Sequence, residues 1–96
     1  MICFAVSVEV EEQHWAEVRR VLAELTECSR RETGCVTYLT QQSQENPRRF
    51  YIFERYRDQA ALDAHRASEH FQRLASGRLY KLITGEKRVE HFDVIA

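Results

Sequence analysis

Residues 65 to 70 read HRASEH, which places two of the chain's four histidines on either side of Ala67, Ser68 and Glu69, with Arg66 next to the first. Histidine exchanges protons near neutral pH and also ligates metals. The stretch is therefore a proton-transfer site, a metal site or one polar side of a helix. Metal-binding histidine pairs on one helical face are spaced by four residues. His65 and His70 are five apart, about 140° around a continuous helix. His14 and His91 are distant in sequence, and no spacing demands that they converge. No metal site is expected.

His65 stands apart because Ala61 and Leu62 lie one turn before it, so it shares the side of the helix that should face a sheet. It is either a half-buried histidine bonded to backbone or to a strand residue, or a proton acceptor at the edge of an apolar cavity. His70, at the start of a short helix, is expected to be exposed or capping. Glu54 interrupts the aromatic run FYIFERY, where an unpaired carboxylate is costly. It must meet a tyrosine, Arg66 or Arg55 of a neighbouring molecule, or take backbone hydrogen bonds. Tyr38, Tyr51, Tyr56 and Tyr80 offer phenols to a ligand or fill the core. The pairs Arg30–Arg31 and Arg48–Arg49 are expected to be solvated charge.

These residues need elements to hold them. ICFAVSVEV alternates, with Ile2, Phe4, Val6, Val8 and Val10 on one side and Cys3, Ala5, Ser7 and Glu9 on the other, which reads as a strand. From Glu11 to Thr33, Trp15, Val18, Leu22 and Leu25 recur at helical spacing, and Gly34 is the expected stop. CVTYLTQQ and RRFYIFERY read as strands joined by a turn at QENP. Asp58 is placed to cap a helix running to about Ala67, and Ser68 to cap a further turn through HFQRLA. KRVEHFDVI reads as the last strand. The order strand, helix, strand, strand, helix, strand predicts one α+β domain over 1–96. It is a ferredoxin-like four-stranded antiparallel sheet with helices on one face.

Both sides of the strands carry apolar residues: Val36, Tyr38, Tyr51, Phe53, Phe92 and Val94 against Cys35, Leu39, Phe50, Ile52 and Val89. One face packs on the helices, so the other calls for a partner sheet, most economically in a homodimer. A chain of 96 residues buries a modest core, and pairing would add to its stability. Net charge is −1, from 14 basic and 15 acidic residues, which offers no handle on nucleic acid or on an anionic membrane. ICFAV lacks a basic flank and reads as a strand, not a signal peptide, and no stretch is long enough for a membrane span. Three scattered cysteines without a CxxC pair suggest a reducing compartment, the cytoplasm. GxGxxG, Walker, GxSxG and HExxH patterns are absent.

The stretch from Glu32 to Phe71 resembles the antibiotic biosynthesis monooxygenase family. The matching features are Gly34 and Cys35 ahead of Tyr38, the Asn46–Pro47 turn, Phe50 followed by Glu54 and Tyr56, and then Asp58, Ala61, His65, Ser68, His70 and Phe71 in register. The resemblance implies a dimeric α+β barrel. It also implies oxidation of a small hydroquinone or phenolic aromatic by molecular oxygen, without metal, flavin or other cofactor. A second branch implies an isomerase for a small phosphorylated hydroxyketone signal of the autoinducer-2 type, and a non-catalytic ligand-binding member would look the same. In the haem-degrading branch an asparagine, a tryptophan and a ligating histidine stand where this chain has Ser7, His65 and Ala75, which argues against haem. Within the oxygenase reading, His65 is the expected base, with Tyr51, Tyr56 and Arg66 as its partners.

Overall fold

The alternation in the first nine-residue strand, β1 (Ile2–Val10), places Phe4, Val6, Val8 and Val10 in the core and leaves the small and polar set on the other side. In the computed structural model, which describes residues 1–96, a short 3₁₀ turn (Glu12–His14) leads into α1 (Trp15–Arg30). Its stripe of Val18, Val21, Leu22 and Leu25 is buried, and the Trp15 indole N–H donates to the Val10 carbonyl at 2.9 Å. β2 (Cys35–Gln42) and β3 (Arg49–Tyr56) follow, then α2 (Gln59–Ala67). A π-helical segment (Phe71–Leu79) ends in one α-helical turn, α3 (Tyr80–Leu82), before β4 (Ile83–His91). The sheet is antiparallel in the order β2-β3-β1-β4, with the helices on one face, and this is the ferredoxin-like arrangement.

Several local expectations are corrected. β4 begins at Ile83 and ends at His91, so Phe92 and Val94 lie beyond it. Gly85, with φ of +72°, sits inside β4, where the register against β1 slips between Ser7 and Glu9, and the extra residues form a bulge that glycine tolerates. A second irregularity at Val36 reverses the faces assigned to β2 beyond it, while Val36 and Cys35 keep theirs. Tyr38 joins Phe50 and Ile52 in the core, whereas Leu39, paired with Phe53, lies on the open face. Arg30 is not simply solvated, because its Nε donates to the Tyr38 carbonyl at 2.9 Å and ties the end of α1 to β2.

Gly34 is needed for a different reason from helix capping. α1 already ends at Arg30, and Gly34 has no positive φ. A Cβ at this position would lie 2.2 Å from the Ala61 Cβ. The absent side chain lets α2 pack directly on the turn that follows α1. Gly34→Ala is expected to destabilise the fold by about 1–3 kcal/mol through overpacking. Adding Ala61→Gly should recover much of that loss despite its own helix cost of about 1 kcal/mol. Denaturant midpoints of the two single variants and the double variant measure the coupling; simple additivity would contradict the contact.

Candidate functional site

Ala61 and His65 are one helical turn apart, so the Gly34–Ala61 contact brings His65 up to the turn containing Glu32. His65 Nδ1 lies 2.8 Å from Glu32 Oε2. The start of α2 is fixed by Asp58, whose Oδ1 accepts the Ala61 N–H at 2.9 Å, as its sequence position suggested. The other end is fixed by Ser68. Its backbone is extended (φ −69°, ψ 154°), its hydroxyl donates to the His65 carbonyl at 2.6 Å, and it accepts the Phe71 N–H at 3.2 Å.

Ser68 thereby stops one helix and caps the next, and the 140° separation of the two histidines does not arise. His70 returns beside His65, its Nε2 2.5 Å from the same Glu32 oxygen. The ligand atoms of Glu32, His65 and His70 lie within 4.8 Å of one another. The donor set suits a divalent metal, contrary to the geometry expected of a continuous helix.

His65 is 1% exposed, and its ring is surrounded by Tyr56, Phe71, Tyr38 and His70 at centroid distances of 5.1, 5.2, 5.6 and 6.0 Å. Its second nitrogen, Nε2, is buried, has no hydrogen-bond partner in the protein, and lies 3.7 Å from Glu54 Oε1. Glu54 finds the tyrosine it needed: the Tyr56 hydroxyl donates to Oε1 at 2.7 Å. His65 and Glu54 both line a cavity of about 40 Å³ whose walls include Phe4, Val6, Phe71 and Tyr80. Arg66 and Lys87 also line it, and both are exposed.

Burial pushes the Glu54 carboxyl up to about 7, against the downward pull of the Tyr56 hydroxyl and of Arg66. Burial lowers His65 below the ordinary histidine value, opposed by its hydrogen bond to Glu32. Tyr56 is held well above the usual phenol range, first by burial and then by Glu54, so it stays a donor. A neutral His65 donating from Nδ1 to the Glu32 carboxylate has its lone pair on Nε2, the nitrogen nearest Glu54.

The structure thus brings His65, Tyr56 and Arg66 together. Tyr51 is elsewhere: it pairs with Ser7 and stacks near Phe53 on the opposite face of the sheet. Glu32 escaped the sequence reading because nothing in the spacing of residues 32, 65 and 70 connects them. The one usable signal was Gly34, whose close approach to α2 carries Glu32 with it.

Fold and site together define a small α+β protein with a buried histidine–carboxylate pair beside an aromatic-walled cavity. The chain belongs to the antibiotic biosynthesis monooxygenase family, whose sequence profile matches residues 1–76. A crystal structure of an antibiotic biosynthesis monooxygenase is 28% identical, covers 100% of both chains and superposes with a TM-score of 0.91. A conserved protein from Bacteroides thetaiotaomicron is 32% identical over 95% of this chain and 94% of its own, with a TM-score of 0.87. A protein from Pseudomonas aeruginosa is 27% identical over 99% of this chain and 94% of its own, with a TM-score of 0.86. No curated protein sequence matches the chain significantly.

Proposed function

We propose that this protein is a cofactor-independent monooxygenase that oxidises a small hydroquinone or phenol with molecular oxygen, using His65 as the base. The observation that carries the reading is the buried His65 imidazole, held at Nδ1 by Glu32 and unpartnered at Nε2 beside the cavity.

A cavity of about 40 Å³ takes a hydroxyl but not a ring. The substrate hydroxyl enters, and the ring stays outside, against the lining side chains Phe71, Tyr80 and Val89. Nε2 takes the phenolic proton, and the resulting imidazolium is stabilised by the Glu32 carboxylate. The phenolate is a far better electron donor to oxygen than the neutral phenol. One oxygen atom bonds to a ring carbon, which loses its hydrogen, and the other leaves as water, so the phenol ends as a quinone and the hydroquinone as a hydroxyquinone. The substrate itself supplies all the electrons, so no external reductant is required.

Arg66 and Lys87 on the rim support a second reading, in which they hold a phosphate and His65 moves a proton along a hydroxyketone. One paired measurement separates the two readings. Metal-stripped protein with dihydroxynaphthalenes and hydroquinones is expected to consume oxygen above a heated control. Proton exchange or carbonyl migration in a phosphorylated hydroxyketone under nitrogen, followed by proton NMR and without oxygen uptake in the first arm, would replace oxygenation by isomerisation.

The assembly we propose is a homodimer across the open sheet face, on which Val36, Leu39 and Phe53 are 48%, 44% and 38% exposed. Sedimentation at micromolar concentration should give twice the 11.4 kDa chain mass. A stable monomer would contradict it.

A further inference from the structure

The cluster formed by Glu32, His65 and His70 has a property that a proton-transfer pair does not require. We infer that these three side chains form a binding site for a transition-metal dication of the zinc type, and that its occupation switches off His65 as a base. Binding stands independently of the oxygenase reading; the switching half rests on it.

Three elements deliver the ligands: the turn after α1, the last turn of α2, and the residue just before the π-helical segment. Two imidazoles and one carboxylate are a donor set that zinc favours, and three protein ligands leave a tetrahedral position open. Glu32 Oε1 is buried and accepts no hydrogen bond from the protein, so the carboxylate retains unused acceptor capacity beyond the oxygen shared by the histidines.

At bond lengths near 2.0–2.1 Å, ligands of a tetrahedral zinc stand about 3.3 Å apart. The present separations from Glu32 Oε2 are 2.8 Å to His65 and 2.5 Å to His70. Each must widen by less than about 1 Å to admit the ion. His65 is locked by its aromatic neighbours. Glu32 and His70, each 18% exposed, have the room to move.

The consequence for chemistry follows from the imidazole itself. A metal on Nδ1 takes the lone pair there, and the single ring proton must reside on Nε2. The nitrogen beside Glu54 then becomes a donor and cannot accept a substrate proton.

The test uses the full chain, stripped with chelator and titrated calorimetrically with zinc chloride. Cobalt(II) provides a visible-absorption readout of tetrahedral geometry. Saturable binding of one ion per chain is expected, with the intense cobalt bands of a tetrahedral site. His70→Ala and Glu32→Gln should each weaken it by more than the roughly 10- to 100-fold that loss of a supporting group costs. His14→Ala and His91→Ala, which alter the histidines outside the cluster, should leave it unchanged.

Circular dichroism checks folding, and His70→Gln replaces His70→Ala if the latter does not fold. Absence of saturable binding, or unchanged affinity in the folded His70 and Glu32 variants, would overturn the site. One equivalent of zinc should suppress oxygen uptake, and chelator should restore it. Zinc that binds but leaves uptake unchanged, or raises it, would overturn the switch. Stripped protein that consumes no oxygen yet binds zinc in this pattern would count against the oxygenase reading and the switch, with the metal site intact.

Discussion

His65→Asn is expected to lower turnover by roughly 10²- to 10⁴-fold, the usual cost of losing a general base, with the fold retained. Asparagine keeps a short amide donor where Nδ1 meets Glu32, but it has nothing at the position of Nε2. His65→Ala is a less discriminating variant. It empties a fully buried site among Tyr38, Tyr56 and Phe71 and leaves Glu32 short of a donor, so it should also cost about 2–4 kcal/mol of stability. That is a large fraction of the roughly 5–15 kcal/mol that holds a small domain folded. Replacing His70 should cost less turnover, since it touches Glu32 and not the cavity. A folded His65→Asn protein with full oxygen uptake would move the base elsewhere, and a ranking with His70 first would show that the wrong histidine was chosen.

Glu54→Gln should stabilise the protein at alkaline pH. The Glu54 carboxyl is raised by burial from its ordinary 4.5 to about 7, so between these values the unfolded chain ionises while the folded one resists. The contribution of protonated Glu54 is fully present below pH 4.5 and is lost as pH rises through about 7. The accumulated penalty is on the order of 3 kcal/mol. Glutamine keeps an acceptor for the Tyr56 hydroxyl and does not ionise. The two proteins should therefore be similarly stable near pH 4.5 and should diverge toward pH 8, with the variant the more stable. His65 titrates in the opposite sense, because burial lowers it and its protonation penalises the folded state as pH falls. That effect is common to both proteins and largely cancels in their difference. Parallel stability curves from pH 4.5 to 8, measured by urea unfolding, would contradict the buried carboxyl.

Much of this geometry was legible in the residues. The alternation of β1, the helical stripe of α1 and the caps at Asp58 and Ser68 are local signals, and each marks a real element, although α1 ends at Arg30 ahead of Gly34 and the segment after Ser68 runs on as a π-helix to Leu79. His65 was legible for the same reason, since its turn-by-turn neighbours Ala61 and Leu62 fixed its side of α2. What stayed hidden depends on backbone irregularity or on contacts between distant segments. One irregular residue at Val36 exchanged the faces of Tyr38 and Leu39, and period-two reasoning cannot locate such a slip. The bulge at Gly85 lets β4 begin at Ile83, four residues before the KRVEHFDVI run. Ser68 was read correctly as a cap, yet its second effect, bringing His70 back to His65, required the extended backbone that separates the two helices. Glu32 needed the packing of Gly34 on Ala61. Tyr51 and Tyr56 are a different case: they are five steps of alternation apart on a regular strand and fall on opposite faces, so the residues alone already separated them.

The claim on which the functional account rests is that His65 is a neutral imidazole with its proton on Nδ1 and a free lone pair on Nε2. It is tested most directly by nitrogen-15 NMR of metal-stripped protein labelled at histidine, with His65 assigned by its loss in His65→Asn. At neutral pH the account predicts a protonated, pyrrole-like Nδ1 and an unprotonated, pyridine-like Nε2 for this residue. A proton on Nε2, or an imidazolium with both nitrogens protonated, would contradict it.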